Sequence, residues 1–202
     1  MIPLFPDQRT ILDLCSGTGS WSQPYLDAGY EVLRVELKDG TDTRLWPAPM
    51  SEQPRLPDEF PDVRQLNIHG VLAAPVCTVF AGSGARWPRA DDDVREGLAL
   101  VDACLRICQT VDPVWWVMEN PVGKLAKWIG NPVNSFQPSD YGDPYTKKTL
   151  LWGRFTMPEQ TPVEAVDGSK LWRNYGGKSD KTKTERSVTP PGFAQAFFKA
   201  NP

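Results

Sequence analysis

The sequence feature that most constrains the fold is a glycine-rich turn, SGTGS, that follows a short apolar run. Residues 9–15, RTILDLC, are typical of a buried strand, and EVLRVEL at 31–37 is typical of a second one. Between them, SWSQPYLDAG predicts a helix that begins near Ser20 and ends at Gly29. Strand, loop, helix and strand in this order build parallel sheets with right-handed crossovers. This part of the chain therefore predicts an α/β fold.

The alternation continues along the chain. Further strands are predicted at 69–77, 114–121 and 149–155, and helices at 91–111 and 190–200. We expect a single domain, 1–202, with a mostly parallel central sheet flanked by helices. Ligands in such folds bind at the carboxyl ends of the strands.

Composition narrows the class of protein. The chain has 202 residues, 40% of them hydrophobic, which suits one domain with a packed core. No apolar run approaches the roughly 18 residues that span a membrane, and the start lacks the pattern of a signal peptide. We therefore expect an intracellular, cytoplasmic protein. The net charge of −3 argues against a polybasic binder but leaves room for a local basic patch.

The sequence contains few residues that could form a metal site or a catalytic triad. The four cysteines form no CxxC pair, and His69 is the only histidine. We therefore expect no metal site and no Ser-His-Asp triad. Cys104 and Cys108 lie on the apolar face of the predicted helix 91–111, where core packing is the simplest role.

The glycine loop has the layout of a nucleotide site. Gly17 and Gly19 allow close approach of the backbone to a ligand, and Asp13 precedes them at the end of the strand. Glu36 ends the second strand, where an acid accepts hydrogen bonds from ribose hydroxyls. Ser22 stands where a dinucleotide site has its third glycine, which disfavours NAD. The pattern resembles motif I of the S-adenosylmethionine-dependent methyltransferases; a dinucleotide site and a plain tight turn are the alternatives.

Two reactive side chains are predicted at the same edge of the sheet. Cys77 follows Pro75 at the end of one strand, and Glu119 ends the next. A thiolate that adds to C6 of cytosine makes C5 nucleophilic, and a carboxyl group near N3 stabilises the charge on the ring. Beside a methyl donor, this pair predicts covalent catalysis; a buried strand cysteine and a helix-capping carboxylate are the alternative interpretations.

Six segments resemble, in family order, the motifs of the DNA cytosine-C5 methyltransferases, so that the likeness covers most of the chain. The segments are DLCSGTGS at 13–20 (D-L-F-A-G-x-G-G), PDVRQL at 61–66 (the adenine contact), APVCTVF at 74–80 (G-P-P-C-Q-x-F), MENP at 118–121 (E-N-V), YTKKTLLW at 145–152 (in the place of Q-x-R-x-R) and RSVTPPGFAQAF at 186–197 (G-N-A-V-P-P and a helix).

The resemblance implies a Rossmann-like methyltransferase fold and a role for each matched residue. It implies Cys77 as nucleophile, Glu119 as the acid that contacts the ring, and Lys147 in the place of an arginine that supports the base. The residues that it assigns to S-adenosylmethionine are Asp13, Ser16, Gly17, Gly19, Ser20, Glu36, Asp62, Val63 and Pro75.

The chain also departs from the family motifs. Cys15 stands in the place of a phenylalanine near the adenine, Val76 in that of the proline before the nucleophile, and Thr78 in that of the following glutamine. Lys147 and Thr149 occupy the two arginine positions. Because lysine lacks the planar fork of arginine, the contacts with the base must differ in detail.

A short basic segment, 153–186, replaces the large target-recognition region of full-length family members. Basic residues neutralise phosphates, and aromatic residues between them stack on bases; a solvated loop is the alternative interpretation. A second predicted DNA contact is the glycine-containing loop after the nucleophile, at 82–89. The residues expected to contact nucleic acid are Arg86, Arg89, Lys170, Arg173 and Lys178.

The tryptophans have less specific predictions. Trp115 and Trp116 precede Glu119 in a strand pattern and are expected in the sheet core. Trp21 directly follows the glycine loop, where packing beside the cofactor and packing elsewhere are equally consistent with the sequence.

The sequence therefore predicts a compact, monomeric, phage-like DNA cytosine-C5 methyltransferase. Two alternatives remain: the same fold with a modified donor, such as carboxy-S-adenosylmethionine, or with another nucleic-acid acceptor, and a non-catalytic DNA-binding module.

Overall fold

The computed structural model describes residues 9–46, 66–82, 88–169 and 187–202. Within these ranges, six strands and four α-helices make a mixed α/β fold. The strands are β1 (Thr10–Leu14), β2 (Glu31–Val35), β3 (Ile68–Ala73), β4 (Trp115–Pro121), β5 (Asn134–Phe136) and β6 (Thr149–Arg154). The helices are α1 (Gln23–Asp27), α2 (Asp91–Val111), α3 (Ala126–Ile129) and α4 (Pro191–Ala200), with 3-10 turns at Leu37–Asp39 and Pro138–Tyr141.

The six strands form one sheet in the order β2-β1-β3-β4-β6-β5. The pairs β1/β2, β1/β3 and β3/β4 are parallel, whereas β4/β6 and β5/β6 are antiparallel. The predicted α/β class is confirmed. The sheet, however, is mixed rather than mostly parallel, because β6 enters it in the opposite direction.

Helices cover both faces of the sheet. Leu12 and Leu14 pack against Cys104 and Ile107 of α2 on one face. Ile11, on the opposite side of the same strand, packs with α1 and α4. Because successive side chains of a strand point to opposite faces, β1 is apolar throughout and buried on both sides. The predicted core positions of Cys104 and Cys108 are confirmed, since both thiols are buried.

One row of paired residues marks where three parallel strands are aligned. Leu14 of β1 is opposite Ala73 of β3, and Ala73 is opposite Met118 of β4. The three strands are parallel, so the chain leaves this row in the same direction from each of them. The segments that follow the row begin at Cys15, Ala74 and Glu119, and they therefore lie along one edge.

Several predicted boundaries are wrong for identifiable reasons. Helix α1 begins at Gln23 rather than near Ser20, because the residues after the glycine loop form turns. Strand β3 ends at Ala73, four residues before Cys77; Pro75, in the segment that follows, has no N–H to continue a ladder. Strand β2 ends at Val35, and Glu36 begins a 3-10 turn. The short strand β5 gives no sequence signal of its own and is held by pairing with β6.

No helix within the described ranges is both long enough and apolar enough to span a bilayer.

Helix α4 is fixed by aromatic packing, which makes it a test of the fold. The ring of Phe193 is completely buried and stacks on Phe136 at 3.6 Å between centroids. We expect Phe193→Ala to lower the free energy of unfolding by about 3–5 kcal/mol, because it leaves a cavity in a packed cluster. Urea unfolding measures the change. Lys199→Ala, at an exposed position of the same helix, should change it by less than about 0.5 kcal/mol. Equal effects of the two substitutions would contradict this packing.

Candidate active site

The glycine loop turns sharply at three residues with positive φ. These are Cys15 at +54°, Gly17 at +53° and Gly19 at +72°. A side chain at Gly17 would meet no atom within 4 Å, so the loop keeps an open surface there. The backbone N–H of Gly17 donates to Oε2 of Glu36 at 2.8 Å. The acid after β2 and the glycine loop after β1 are thus joined directly.

Arg34 of β2 fixes the outer side of the loop. Its Nε donates to Oγ of Ser16 at 3.2 Å, and its Nη2 donates to the carbonyl of Gly17 at 3.1 Å. A Cβ at Gly19 would lie only 3.0 Å from the Arg34 guanidinium carbon. Gly19 is therefore required for the positive φ and for the space that Arg34 occupies.

A buried carboxyl supports the loop from below. Asp13 is 2% exposed, and the hydroxyl of Ser22 donates to its Oδ2 at 2.5 Å. Burial raises the pKa of Asp13 from 3.8 to about 7, against the lowering effects of Ser22 and Arg34, while Glu36 adds to the rise. Ser22, at the position of the third dinucleotide-site glycine, thus has a structural use that sequence patterns did not reveal.

The segment that carries Cys77 is anchored to the end of β4. The buried side chain of Asn120 donates from Nδ2 to the carbonyl of Pro75 at 3.1 Å. Further along, the N–H of Gly82 donates to the carbonyl of Val122 at 2.8 Å. Cys77 lies half-buried between these anchors, and its carbonyl accepts from the N–H groups of Phe80 and Ala81. The thiol therefore lies on a short, fixed loop rather than within a strand.

Glu119 and Lys147 meet across two antiparallel strands. Glu119 is opposite Leu151 and Pro121 is opposite Thr149, so Lys147 lies on the same face as Glu119, beyond the start of β6. Within the described ranges, Oε2 of Glu119 is buried and has no hydrogen-bond partner. Burial raises the pKa of Glu119, and the positive charge of Lys147 partly offsets that rise. The carboxyl group is thus disposed to hold a proton.

Glu119 and Lys147 line a narrow cavity under helix α4. Its volume of about 10 Å³ for a water-sized molecule is room for roughly one water. The backbone N–H of Thr189 donates to Oγ of Ser20 at 2.9 Å, which ties the segment before α4 to the glycine loop. The lining residues are Trp21, Glu119, Phe136, Lys147, Thr149, Thr189, Pro190 and Phe193.

A larger groove, of about 310 Å³, lies on the other side of the Cys77 loop, against α2. Arg89 lines it, so this predicted nucleic-acid contact lies beside the Cys77 loop. The other lining residues are Val76, Thr78, Val79, Asp93, Glu96, Gly97 and Leu100.

Some predicted residues lie outside the described ranges. They are Asp62 and Val63 of the adenine segment, Arg86, and Lys170, Arg173 and Lys178 of the basic segment. Across the ranges 9–46, 66–82, 88–169 and 187–202, no group of three or more metal-ligating side chains occurs.

The structure places the predicted residues of the described ranges in two main groups. Asp13, Ser16, Gly17, Gly19, Ser20 and Glu36 share the loop region, and Glu119 and Lys147 share the cavity. Thr189 and Asn120 lie in matched motifs, but the sequence assigns neither a role, since their contributions are contacts with residues distant in the chain. The sequence favours neither of the two packing positions considered for Trp21. In the structure, Trp21 packs against Phe193 and Phe197 and also lines the Glu119 cavity.

Comparison with known proteins finds similarity to solved structures. No protein-family model and no curated protein matches the chain significantly. The chain is similar to a crystal structure described as a candidate DNA modification methyltransferase encoded within a prophage of Escherichia coli. The identity is 18% and the TM-score 0.49, over 86% of this chain and 56% of that one, so the chain spans about half of the neighbour's length. A likeness at this level carries no argument about activity, which must come from the residues.

The raised pKa of Asp13 predicts a pH-dependent stability. The folded protein holds this proton up to about pH 7, whereas the unfolded chain releases it near pH 4. Asp13 therefore stabilises the fold below pH 4, and this contribution is lost as the pH rises to 7. Relative to wild type, Asp13→Asn should gain about 1.4 kcal/mol per pH unit within that window. Urea unfolding at pH 5 and pH 7 checks this, and a difference that does not change with pH would contradict it.

Proposed function

We propose that this protein is an S-adenosylmethionine-dependent DNA cytosine-C5 methyltransferase, with Cys77 as nucleophile and Glu119 as acid. One observation carries the proposal. Leu14, Ala73 and Met118 are paired in one row, and the glycine loop, the Cys77 loop and Glu119 follow this row at one edge of the sheet. A donor site, a thiol and a protonatable carboxyl group at one edge are the parts that this reaction needs.

The glycine loop fits the donor. Gly17 offers an open backbone surface. Glu36 keeps lone pairs beyond the bonds that it accepts from the N–H groups of Gly17 and Lys38, since a carboxylate can accept about four hydrogen bonds. Ribose hydroxyls would donate to Glu36, with Asp13 holding the loop from below. The remaining residues proposed to surround the donor are Ser16, Gly19, Ser20, Asp62, Val63 and Pro75. S-adenosylmethionine supplies an electrophilic methyl group.

The protein residues then act on the base. The Cys77 thiolate adds to C6 of cytosine, and Glu119 donates a proton at N3, so that the electrons reach C5 as a neutral enamine. C5 forms a bond to the methyl group, and the carbon–sulfur bond of the donor breaks. Loss of the C5 proton to solvent, return of the N3 proton to Glu119 and departure of the Cys77 thiolate restore the ring. Burial of Glu119 favours the protonated acid that this sequence of steps starts from.

The basic residues extend the proposal to DNA. Arg89 lies beside the Cys77 loop, where it could contact a phosphate near an extruded base. The same role is proposed for Arg86, Lys170, Arg173 and Lys178. The small segment 153–186 would then give short or relaxed sequence specificity.

The decisive test is the product. Purified protein, DNA and S-adenosylmethionine should yield 5-methylcytosine by nucleoside mass spectrometry, and Cys77→Ala should reduce it to background because no adduct forms. Cys108→Ala is the matched control, since Cys108 is buried in the core away from this edge. A carboxymethylated base would indicate a modified donor, and methylated RNA another acceptor. DNA binding without product, and unaffected by S-adenosylhomocysteine, would indicate a non-catalytic module.

The covalent step has its own test. DNA that contains 5-fluorocytosine cannot lose a proton from C5, so a protein–DNA adduct stable to denaturant should accumulate with wild type and Cys108→Ala. With Cys77→Ala it should not form. An adduct that survives loss of Cys77 would contradict this residue as nucleophile.

Lys147 predicts the pH dependence of the reaction. Its charge lowers the pKa of Glu119, so Lys147→Gln should let the acid hold its proton to higher pH. The alkaline fall of kcat/KM should then shift to higher pH. Lys147→Arg retains the charge and should leave the alkaline fall near that of wild type. Identical profiles for Lys147→Gln and wild type would show that Lys147 does not tune the acid.

A further inference from the structure

Trp21 is a buried donor that the proposed chemistry does not use. Its side chain is 3% exposed, and its indole Nε1 is buried without a hydrogen-bond partner within the described ranges. A buried N–H group that pairs with nothing is destabilising, so on a residue that also lines a cavity, as Trp21 does, it suggests a ligand contact.

A second residue with an unpaired buried atom lines the same cavity. Trp21 and Glu119 both line it, and Oε2 of Glu119, like Nε1 of Trp21, is buried without a partner within the described ranges. One of these atoms is a fixed donor, and the other belongs to a carboxyl group that accepts, or donates when protonated. A single ligand edge with complementary atoms would satisfy both.

The charges of the cavity indicate which ligand fits. Lys147 lines the same cavity, so a cationic sulfonium group would be repelled, while a protonated Glu119 can donate to an acceptor atom of a neutral ring. A neutral, planar ring edge with acceptors and donors side by side is compatible with both. The space suits one heteroatom, since it is about the size of a water.

We infer that Trp21 is a base-contacting residue, whose indole N–H donates to the O2 carbonyl oxygen of the target cytosine while Glu119 contacts N3. This inference rests on the proposed function. O2 and N3 are adjacent on the ring, which matches two unpaired groups that share one small cavity.

The chain provides a matched pair of variants. Trp115 belongs to the same aromatic cluster, is also buried, and also has an unpaired Nε1, but it does not line the cavity. Trp21→Phe and Trp115→Phe each remove an indole N–H and keep an aromatic ring. We expect Trp21→Phe to lower kcat/KM by about 10-fold, the value of one hydrogen bond, and Trp115→Phe to leave it near wild type. Equal kcat/KM values for the two variants would overturn the inference.

A modified substrate identifies the atom contacted. Sulfur accepts hydrogen bonds weakly, so 2-thiocytosine in the DNA should slow wild type and Trp115→Phe by a similar factor. Trp21→Phe, which has already lost the donor, should be slowed little further, because two changes at one contact are not additive. A full additional loss in Trp21→Phe would exclude O2 as the partner.

A binding measurement separates this inference from the activity. In protein with ¹⁵N-labelled indoles, DNA plus S-adenosylhomocysteine should move the Trp21 Nε1–H resonance and leave that of Trp115 in place. DNA with an abasic site at the target should move neither. Both tryptophans contact Phe197, but Trp21 also contacts the ring of Phe193, and this contact assigns Trp21 in wild type. The result therefore does not depend on the variant folding.

The outcomes for the two proposals are distinct. If wild type makes 5-methylcytosine and the Trp21 resonance does not move, the inference fails and the proposed function stands. If no methylated base forms but the resonance moves only with cytosine present, the base contact stands and the methyl transfer fails.

Discussion

The site depends on the register of three parallel strands. The pairing of Leu14 with Ala73 and of Ala73 with Met118 sets where each following segment leaves the sheet. A shift of one residue would turn every side chain of a strand to the opposite face, so that Asp13 or Glu119 would enter the α2 core. The apolar residues on both faces hold the register, because burial of a polar side chain without a partner is costly. The same strand register therefore determines both how the sheet packs and how the candidate site is aligned.

The sequence predicts the parts of this site that are local. A glycine loop after an apolar strand, and long periodic segments such as Asp91–Val111 and Trp115–Pro121, appear where periodicity placed them, since local pattern and final burial agree. The antiparallel direction of β6 is not visible in its own residues, because an apolar strand reads alike in both directions. The sequence does not predict that Cys77 lies on a loop, because the apolar run continues past Ala73. In the structure, Pro75 and the amide of Asn120 end the strand.

The contacts that finish the site join residues far apart in the chain and leave no short pattern. Thr189 bonds to Ser20, and Asn120 bonds to Pro75, each through a contact whose partner only the fold identifies. Cys15 illustrates the same limit. It departs from the family phenylalanine, and the structure shows its sulfur 3.4 Å from Oγ1 of Thr43, on a segment that no motif marked. The proposed adenine side of the donor site is thus one place where this chain differs from the motifs that it resembles.

The bond from the Thr189 N–H to the Ser20 hydroxyl spans 169 positions of sequence. During synthesis the glycine loop leaves the ribosome long before the segment that covers it. The wall formed by Thr189, Pro190 and Phe193 cannot exist until α4 follows. A nascent chain therefore carries its glycine loop and Glu119 without the wall that closes the Glu119 cavity. The order of synthesis itself keeps the incomplete protein from assembling this pocket.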